Sequence, residues 1–258
     1  MPRIAFISPL GGTGRTATAA HMLSEFAARG LPVLGIDLCP QNQLGRYLGL
    51  MEPASQGWAT SAVAGQWWAT HALENSAQAA FLPFGQPQPV ELLQLAQRWA
   101  QEPGWLDWQL GQMEVSDDTV VFLDTPVWPA PLAQQAVLCA DVLLVMLDAS
   151  LRSCQAHGLI KGMLSCVPAS VMSVGVVLTG FDARRPSHRE ALHTLRKQWG
   201  QLLLPYIIHV DESLAQAHAH ALCVTQHAPQ AQSAADMQGV ATWLELQCQM
   251  AQLAQMAP

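Results

Sequence analysis

Three features of the sequence predict an α/β fold built on a doubly wound, mostly parallel sheet. Apolar runs of strand length recur through the 258 residues, helix-length stretches separate them, and a glycine-rich turn follows directly on the first run. Most of the runs are continuously apolar and do not alternate with polar residues, as expected for strands covered on both faces. Strand–helix alternation of this kind builds a parallel sheet through right-handed crossovers.

In chain order, "IAFIS" gives a strand at Ile4–Ser8, and the pattern after the glycine turn gives a helix at Arg15–Arg29. "PVLGIDL" gives a second strand at Pro32–Leu38, with an additional candidate at Ala80–Phe84 and a helix at Pro89–Gln101. "TVVFLD" is a strand at Thr119–Asp124, followed by a helix at Pro131–Cys139. "VLLVMLDA" at Val142–Ala149 leads to a helix at Ser153–Cys166, and "SVGVVLT" at Ser173–Thr179 to a helix at His188–Trp199. "LPYIIHV" at Leu204–Val210 is the last strand, and a terminal helix is expected over Ala235–Met256. The intervening Gly57–Gln112 is less regular and holds six of the nine tryptophans. These are expected either in the core or, since Trp is enriched in binding hot spots, on a partner-docking surface.

Half of the residues are apolar and no Pro/Gly/Ser-rich linker interrupts them, so residues 1–258 are expected to form one domain. The net charge is −7, only 12% of residues are charged, and Lys161 and Lys197 are the only lysines. That balance argues against nucleic acid as a partner, because broad nucleic-acid surfaces need many Lys and Arg. The basic cluster Arg184, Arg185, Arg189, Arg196 and Lys197 is therefore expected to be a solvated helix face. Six scattered cysteines without a CxxC pair argue against zinc or disulfide frameworks and fit a reducing cytoplasm. The N-terminus reads as a strand and not a signal peptide, and no apolar run approaches the roughly 18 residues of a membrane span. His218 and His220 lie two apart, a spacing that points them to different sides of a helix and away from a shared metal.

The turn after the first strand reads Pro9-Leu10-Gly11-Gly12-Thr13-Gly14-Arg15-Thr16 and opens a helix at its end. Small residues there let backbone N–H groups face an anion, reinforced by the positive end of the helix. Gly11, Gly12, Thr13, Gly14, Arg15, Thr16 and Ala17 are thus candidates for binding the phosphates of ATP, with the Thr16 hydroxyl directed to Mg2+. Two other strands end in acids. Asp37 closes the second strand and Asp124 closes "FLDTP", both placed to hold Mg2+ through water.

In this order, "GGTGRT", "DLCPQN", "FLDTP" and "GVVLTGFDARR" resemble the MinD/ParA group of deviant-Walker P-loop ATPases over nearly the whole chain. "GWATSAVAGQWW", "LPFGQ" and "LLPYIIHVDESLAQA" are similar to the branch of that group that accompanies bacterial cellulose synthesis. The resemblance implies a SIMIBI-class fold and a homodimer closed across ATP and Mg2+. It also implies other cellulose synthase subunits as partners, with room for a small companion subunit, and recruitment to the inner membrane through those partners without direct membrane insertion. It places Thr179 and Asp182 on the adenine side of the pocket and His209 in a switch loop near the nucleotide. Asp37 becomes the residue that orients an attacking water, and Arg15 the cation on the β- and γ-phosphates.

Three residues depart from the group. Leu10 stands where its signature lysine reaches across the dimer, Cys39 replaces its second switch carboxylate, and Arg15 replaces the loop lysine. Nucleotide binding survives these changes more readily than hydrolysis, which depends on stabilising transition-state charge. The expectation is a weak or slow ATPase acting as a regulatory subunit. A spatial organiser of the MinD/ParA type and a nucleotide-free scaffold that keeps only the fold stand as alternatives. After Lys197 no Lys or Arg occurs in the last 61 residues, which carry four acids. The terminal helix, with Val240, Trp243, Leu244, Leu246, Met250, Leu253 and Met256, is therefore expected to pack on the sheet or meet a protein, not a lipid surface.

Overall fold

A computed structural model describes residues 1–256, the last two of these by backbone alone, so the Met256 side chain and residues 257–258 lie outside the described residues. The strands are β1 (Arg3–Ile7), β2 (Val33–Asp37), β3 (Leu73–Glu74), β4 (Ala80–Leu82), β5 (Val120–Asp124), β6 (Val142–Asp148), β7 (Ser173–Phe181) and β8 (Leu203–His209). The helices are α1 (Arg15–Ala28), α2 (Trp58–Val63), α3 (Pro89–Gln101), α4 (Trp105–Gly111), α5 (Pro131–Cys139), α6 (Leu151–Gln155), α7 (His157–Leu164), α8 (Pro186–Trp199), α9 (Glu212–Ala219), α10 (Val224–His227) and α11 (Gln232–Met256).

All eight strands form one sheet in the order β3-β4-β2-β5-β1-β6-β7-β8, parallel except for the short antiparallel β3. The expected doubly wound α/β architecture is present. Its strands alternate between two buried layers: Ala5 and Ile7 of β1 face one, Ile4 and Phe6 the other. The first layer is closed by α2 to α8, through Trp58, Leu95, Trp99, Leu106, Ala136, Ile160 and Leu195. The second is closed mainly by α1 and α11, through Met22, Leu23, Phe26, Met237, Val240 and Leu244. Each layer removes several large side chains from water, at about 1.5–3 kcal/mol apiece.

Where the structure departs from expectation, local hydrogen bonds supply the reason. The single helix expected over Ser153–Cys166 is two, meeting at Ala156, which ends α6 and begins α7. Ser150 caps α6 through Ser153 N–H at 3.4 Å, which starts the helix two residues early. The capping carboxylate of Asp211 accepts from Ser213 N–H at 2.9 Å, nucleating α9 in a stretch too short and polar to show periodicity. Its other oxygen takes Ser233 N–H at 3.1 Å, and α11 accordingly begins before Ala235.

The tryptophan-rich segment divides in two. Trp58, Trp68, Trp99 and Trp105 are buried against one another, with Trp58 and Trp99 centroids 5.2 Å apart. Trp67 and Trp108 remain 46% and 58% exposed. Backbone crossing makes this packing possible. A Cβ on Gly57 would sit 2.3 Å from the Pro83 carbonyl oxygen, so only glycine lets α2 begin there. On α11, Val240 and Leu244 are buried and Trp243 half-buried, while Leu246, Met250 and Leu253 are exposed.

Charge is unevenly spread. Residues 51–118, which contain β3, β4 and α2 to α4, hold eight acids and one base (Arg98), so the whole net charge of −7 lies in this segment. The basic cluster of α8 and its preceding loop packs beside β7 and β8, at the opposite edge of the sheet.

Candidate functional site

A parallel sheet presents its carboxyl ends along one rim, and ligands of open α/β sheets bind there. β1 ends at Ile7, and the chain then turns sharply. The buried Ser8 hydroxyl accepts Leu10 N–H at 3.1 Å, while Gly12 and Gly14 adopt φ of 74° and 77°. These left-handed angles are costly for any residue with a Cβ. Gly14 is the N-cap of α1 and offers no side-chain cap, and no acid occupies the first turn. The first N–H groups of α1 therefore keep their hydrogens free at the positive end of the helix, which suits them to an anion.

These groups border a cavity of about 650 Å3. Gly11 to Ala17 line one side, Cys39, Pro40, Gln41, Gln43 and Tyr47 after β2 a second, Pro126, Val127 and Ala130 after β5 a third, and His218 of α9 the last. Tyr47 and His218 pack ring on ring at 4.5 Å. The sequence carries no local sign of this pair, because the two residues come from distant elements.

Behind the wall formed by Thr16 and Cys39, the parallel register of β2 and β5 sets Asp37 beside Asp124; both are fully buried and neither lines the cavity itself. Asp37 is fixed by its own backbone, accepting Cys39 N–H and Leu44 N–H, each at 2.9 Å. Burial, and then the neighbouring Asp124 charge, push its carboxyl well above the usual range. Neither oxygen of Asp124 has a hydrogen bond of normal geometry, although the Thr16 hydroxyl and Cys39 thiol lean on it. Burial raises this carboxyl to about 6, against the pull of Thr16 and the Arg15 charge. The Cys39 thiol is also pushed up, by burial and by both carboxylates.

Two adjacent buried carboxylates with an unmet oxygen pair are unfavourable alone and favour a cation. With the Thr16 hydroxyl they form an oxygen-rich set that fits Mg2+. Arg15 forms none of the ion pairs found among the described residues, and its Nη1 is buried without a partner. The side chain is thus available to an anion in the cavity.

Other expected residues lie elsewhere. The Thr179 hydroxyl is 3.0 Å from the Thr13 carbonyl and 3.3 Å from that of Leu147, so it braces the loop from beneath. Asp182 holds Arg184 at 2.9 Å and Arg185 at 3.4 Å, and the Arg184 contacts pull its carboxyl down to about 2. His209 contacts Asp236 through Nδ1 at 2.8 Å. None of the three lines the cavity. Leu10 packs against the chain's own core.

One residue that the sequence did not suggest supports the site from behind. His21, one turn beyond the loop, is fully buried. Its Nδ1 lies 2.6 Å from the Ala17 carbonyl, and its Nε2 accepts Val224 N–H at 2.8 Å. Accepting at Nε2 requires the neutral ring, with the proton on Nδ1 donated to Ala17, and burial lowers its pKa to about 4.

The family described as "Cellulose biosynthesis protein BcsQ" matches residues 1–244. The chain belongs to the BcsQ family. BcsQ of Salmonella typhi is 27% identical over 235 residues, covering 90% of each protein. Among solved structures, a variant of McdA from Cyanothece in complex with ATP superposes with a TM-score of 0.75 at 19% identity, covering 95% of this chain and 96% of that one. The septum site-determining protein MinD of Pyrococcus horikoshii, complexed with Mg-ADP, gives 0.73 at 15% identity, covering 94% and 95%. This BcsQ-family chain therefore has the fold of the MinD/ParA P-loop ATPases. No described helix is long and apolar enough to cross a membrane.

Proposed function

We propose that the chain is an ATP- and Mg2+-binding regulatory subunit of the bacterial cellulose synthesis machinery. It acts as one domain, pairs with a second copy across the nucleotide, hydrolyses ATP slowly, and assembles or localises the synthase from the cytoplasmic side through partner proteins. The observation that carries the nucleotide part is the uncapped first turn of α1 and the unpartnered Arg15 on one cavity, with the unmet Asp124 carboxylate lying directly behind its lining residues Thr16 and Cys39. Family membership carries the pathway.

When bound, ATP would supply the transferable phosphoryl group and Mg2+ the positive charge that offsets it. The backbone of Gly11 to Ala17 would hold phosphate oxygens, and Arg15 would add a planar pair of donors. Thr16 would ligate Mg2+ directly, with Asp37 and Asp124 holding its water ligands and Asp37 orienting the water that attacks. Thr179 keeps the loop in shape, and Asp182 serves the adenine side only after releasing its arginines. Slow turnover follows from Leu10, which packs inward and cannot carry charge to a partner, and from Cys39, which offers no second carboxylate.

Titration of a fluorescent ATP analogue in Mg2+ tests this reading. Arg15→Ala is expected to weaken binding by about 1.5–3 kcal/mol, the worth of a charge-assisted contact. Unchanged affinity removes Arg15 from the site, and no binding by the wild-type chain refutes the nucleotide reading.

A further inference from the structure

Asp37, Cys39 and Asp124 each present one ligand atom such that all three lie within 4.8 Å of one another. All three residues are buried, Asp124 to 0% exposure with both oxygens lacking a hydrogen bond of normal geometry. Asp37 is clamped by two backbone N–H groups, which hold its carboxylate in place without using up its lone pairs. Cys39 borders the cavity, so the cluster can be reached from solvent.

The donor set decides what would bind. Mg2+ demands octahedral oxygen ligands and gains little from sulfur. One thiolate with two carboxylates suits a borderline-soft ion such as Zn2+, bound tetrahedrally at about 2.3 Å to sulfur and about 2.0–2.2 Å to oxygen. Ligand atoms around such an ion lie within about 4 Å of each other, so binding draws Cys39 and Asp124 in toward the clamped Asp37 from a spacing of up to 4.8 Å.

We propose that Asp37, Cys39 and Asp124 form a site for a thiophilic divalent cation of the Zn2+ type, with Cys39 as a direct ligand and the fourth position open to the cavity. Binding replaces the thiol S–H bond with a sulfur–metal bond and releases the proton to water, so affinity rises with pH. The site needs no nucleotide. It ties the strand ends of β2 and β5 together where a magnesium site would leave them bridged by water. A cell that takes up excess zinc would thereby compete with Mg2+ at this chain.

The test is titration of the full, nucleotide-free chain with Co2+, a spectroscopic stand-in for Zn2+. A thiolate-to-cobalt charge-transfer band is expected to saturate at one equivalent, to be displaced by Zn2+, and to resist a large excess of Mg2+. Cys39→Ser is expected to lose the band, and Cys166→Ser, which removes the exposed thiol, to keep it. Asp124→Asn is expected to retain the sulfur band with affinity weakened about tenfold or more. Thermal unfolding of each variant shows whether it is folded, and an added upward shift in wild-type Tm with Zn2+ is expected only if the native state binds. Absence of the band in the folded wild type, or its survival in Cys39→Ser, overturns the proposal. ATP-analogue binding measured on the same samples keeps the two readings apart. Nucleotide binding without the band sinks only the metal site, and the band without nucleotide binding sinks only the nucleotide reading.

Discussion

Acidification sets two buried groups of this chain against each other. His21 is neutral in the fold because both ring nitrogens are committed and burial lowers its pKa from 6.5 to about 4. Between those values the unfolded chain binds the extra proton and the folded chain does not. His21 therefore contributes stability that is complete above pH 6.5 and is lost as pH falls toward 4. Taking both values, dropping from about pH 7.5 to about 4.5 removes about 2.5 kcal/mol. Asp124 works the other way. Its folded pKa is raised from 3.8 to about 6, so the folded state is the one that gains protons in that window, and acid relieves a cost of the same order. Asp37 is raised too and adds to the relief. In the wild type the relief at the two carboxyls offsets the loss at His21, and stability is expected to hold or rise across the window. Urea unfolding at the two pH values, without divalent cations, separates them. His21→Gln keeps a polar group in place but does not titrate, and its stability is expected to rise on acidification. Asp124→Asn is expected to lose stability over the same step, by at most about 2.5 kcal/mol, reduced by the relief that Asp37 still gives. If His21→Gln and the wild type show the same change with pH, the buried neutral histidine does not govern acid stability.

Three further outcomes are expected. Gly57→Ala, which would place a methyl against the Pro83 and Gly85 backbone, should cost about 3 kcal/mol in urea unfolding, because backbone yields less than a side chain. Trp58→Ala should cost about 3–5 kcal/mol, whereas Trp67→Ala and Trp108→Ala, both exposed, should each cost under about 1 kcal/mol. Combining Leu10→Lys with Cys39→Asp should raise the steady-state ATPase rate measured by phosphate release. A wild-type rate that is already fast and insensitive to substitution of Asp37 or Asp124 would contradict the assignment of these residues.

The sheet was legible because its strands are buried on both faces and read as unbroken apolar runs, which turn chemistry then separates. β3 escaped because two residues carry no periodicity, and α9 and α10 because their length leaves no repeat to detect. The rim elements were legible for another reason. A glycine loop, Asp37 and Asp124 each sit where a strand stops, so topology alone gathers them. Tyr47 and His218 meet only through the docking of α9, and His21 is read as an ordinary helix residue until Val224 is seen against it. Trp67 and Trp68 are adjacent in sequence yet differ in fate, since neighbours leave the backbone in different directions and only one can enter the core.

The uneven spread of charge gives the molecule a permanent electric moment. The positive pole is the α8 flank beside β7 and β8, while the acids of residues 51–118 spread from the β3–β4 edge to Asp107, which pairs with Arg3 of β1, and to Asp117 and Asp118 just before β5. In the field of a polyanionic surface such a body experiences a torque before it experiences net attraction, because its total charge is negative while one end is not. It would turn the α8 flank inward. At physiological salt this alignment acts only within about 8 Å of the surface. Any polyanionic surface would therefore meet the α8 flank first, whatever the sign of the total charge.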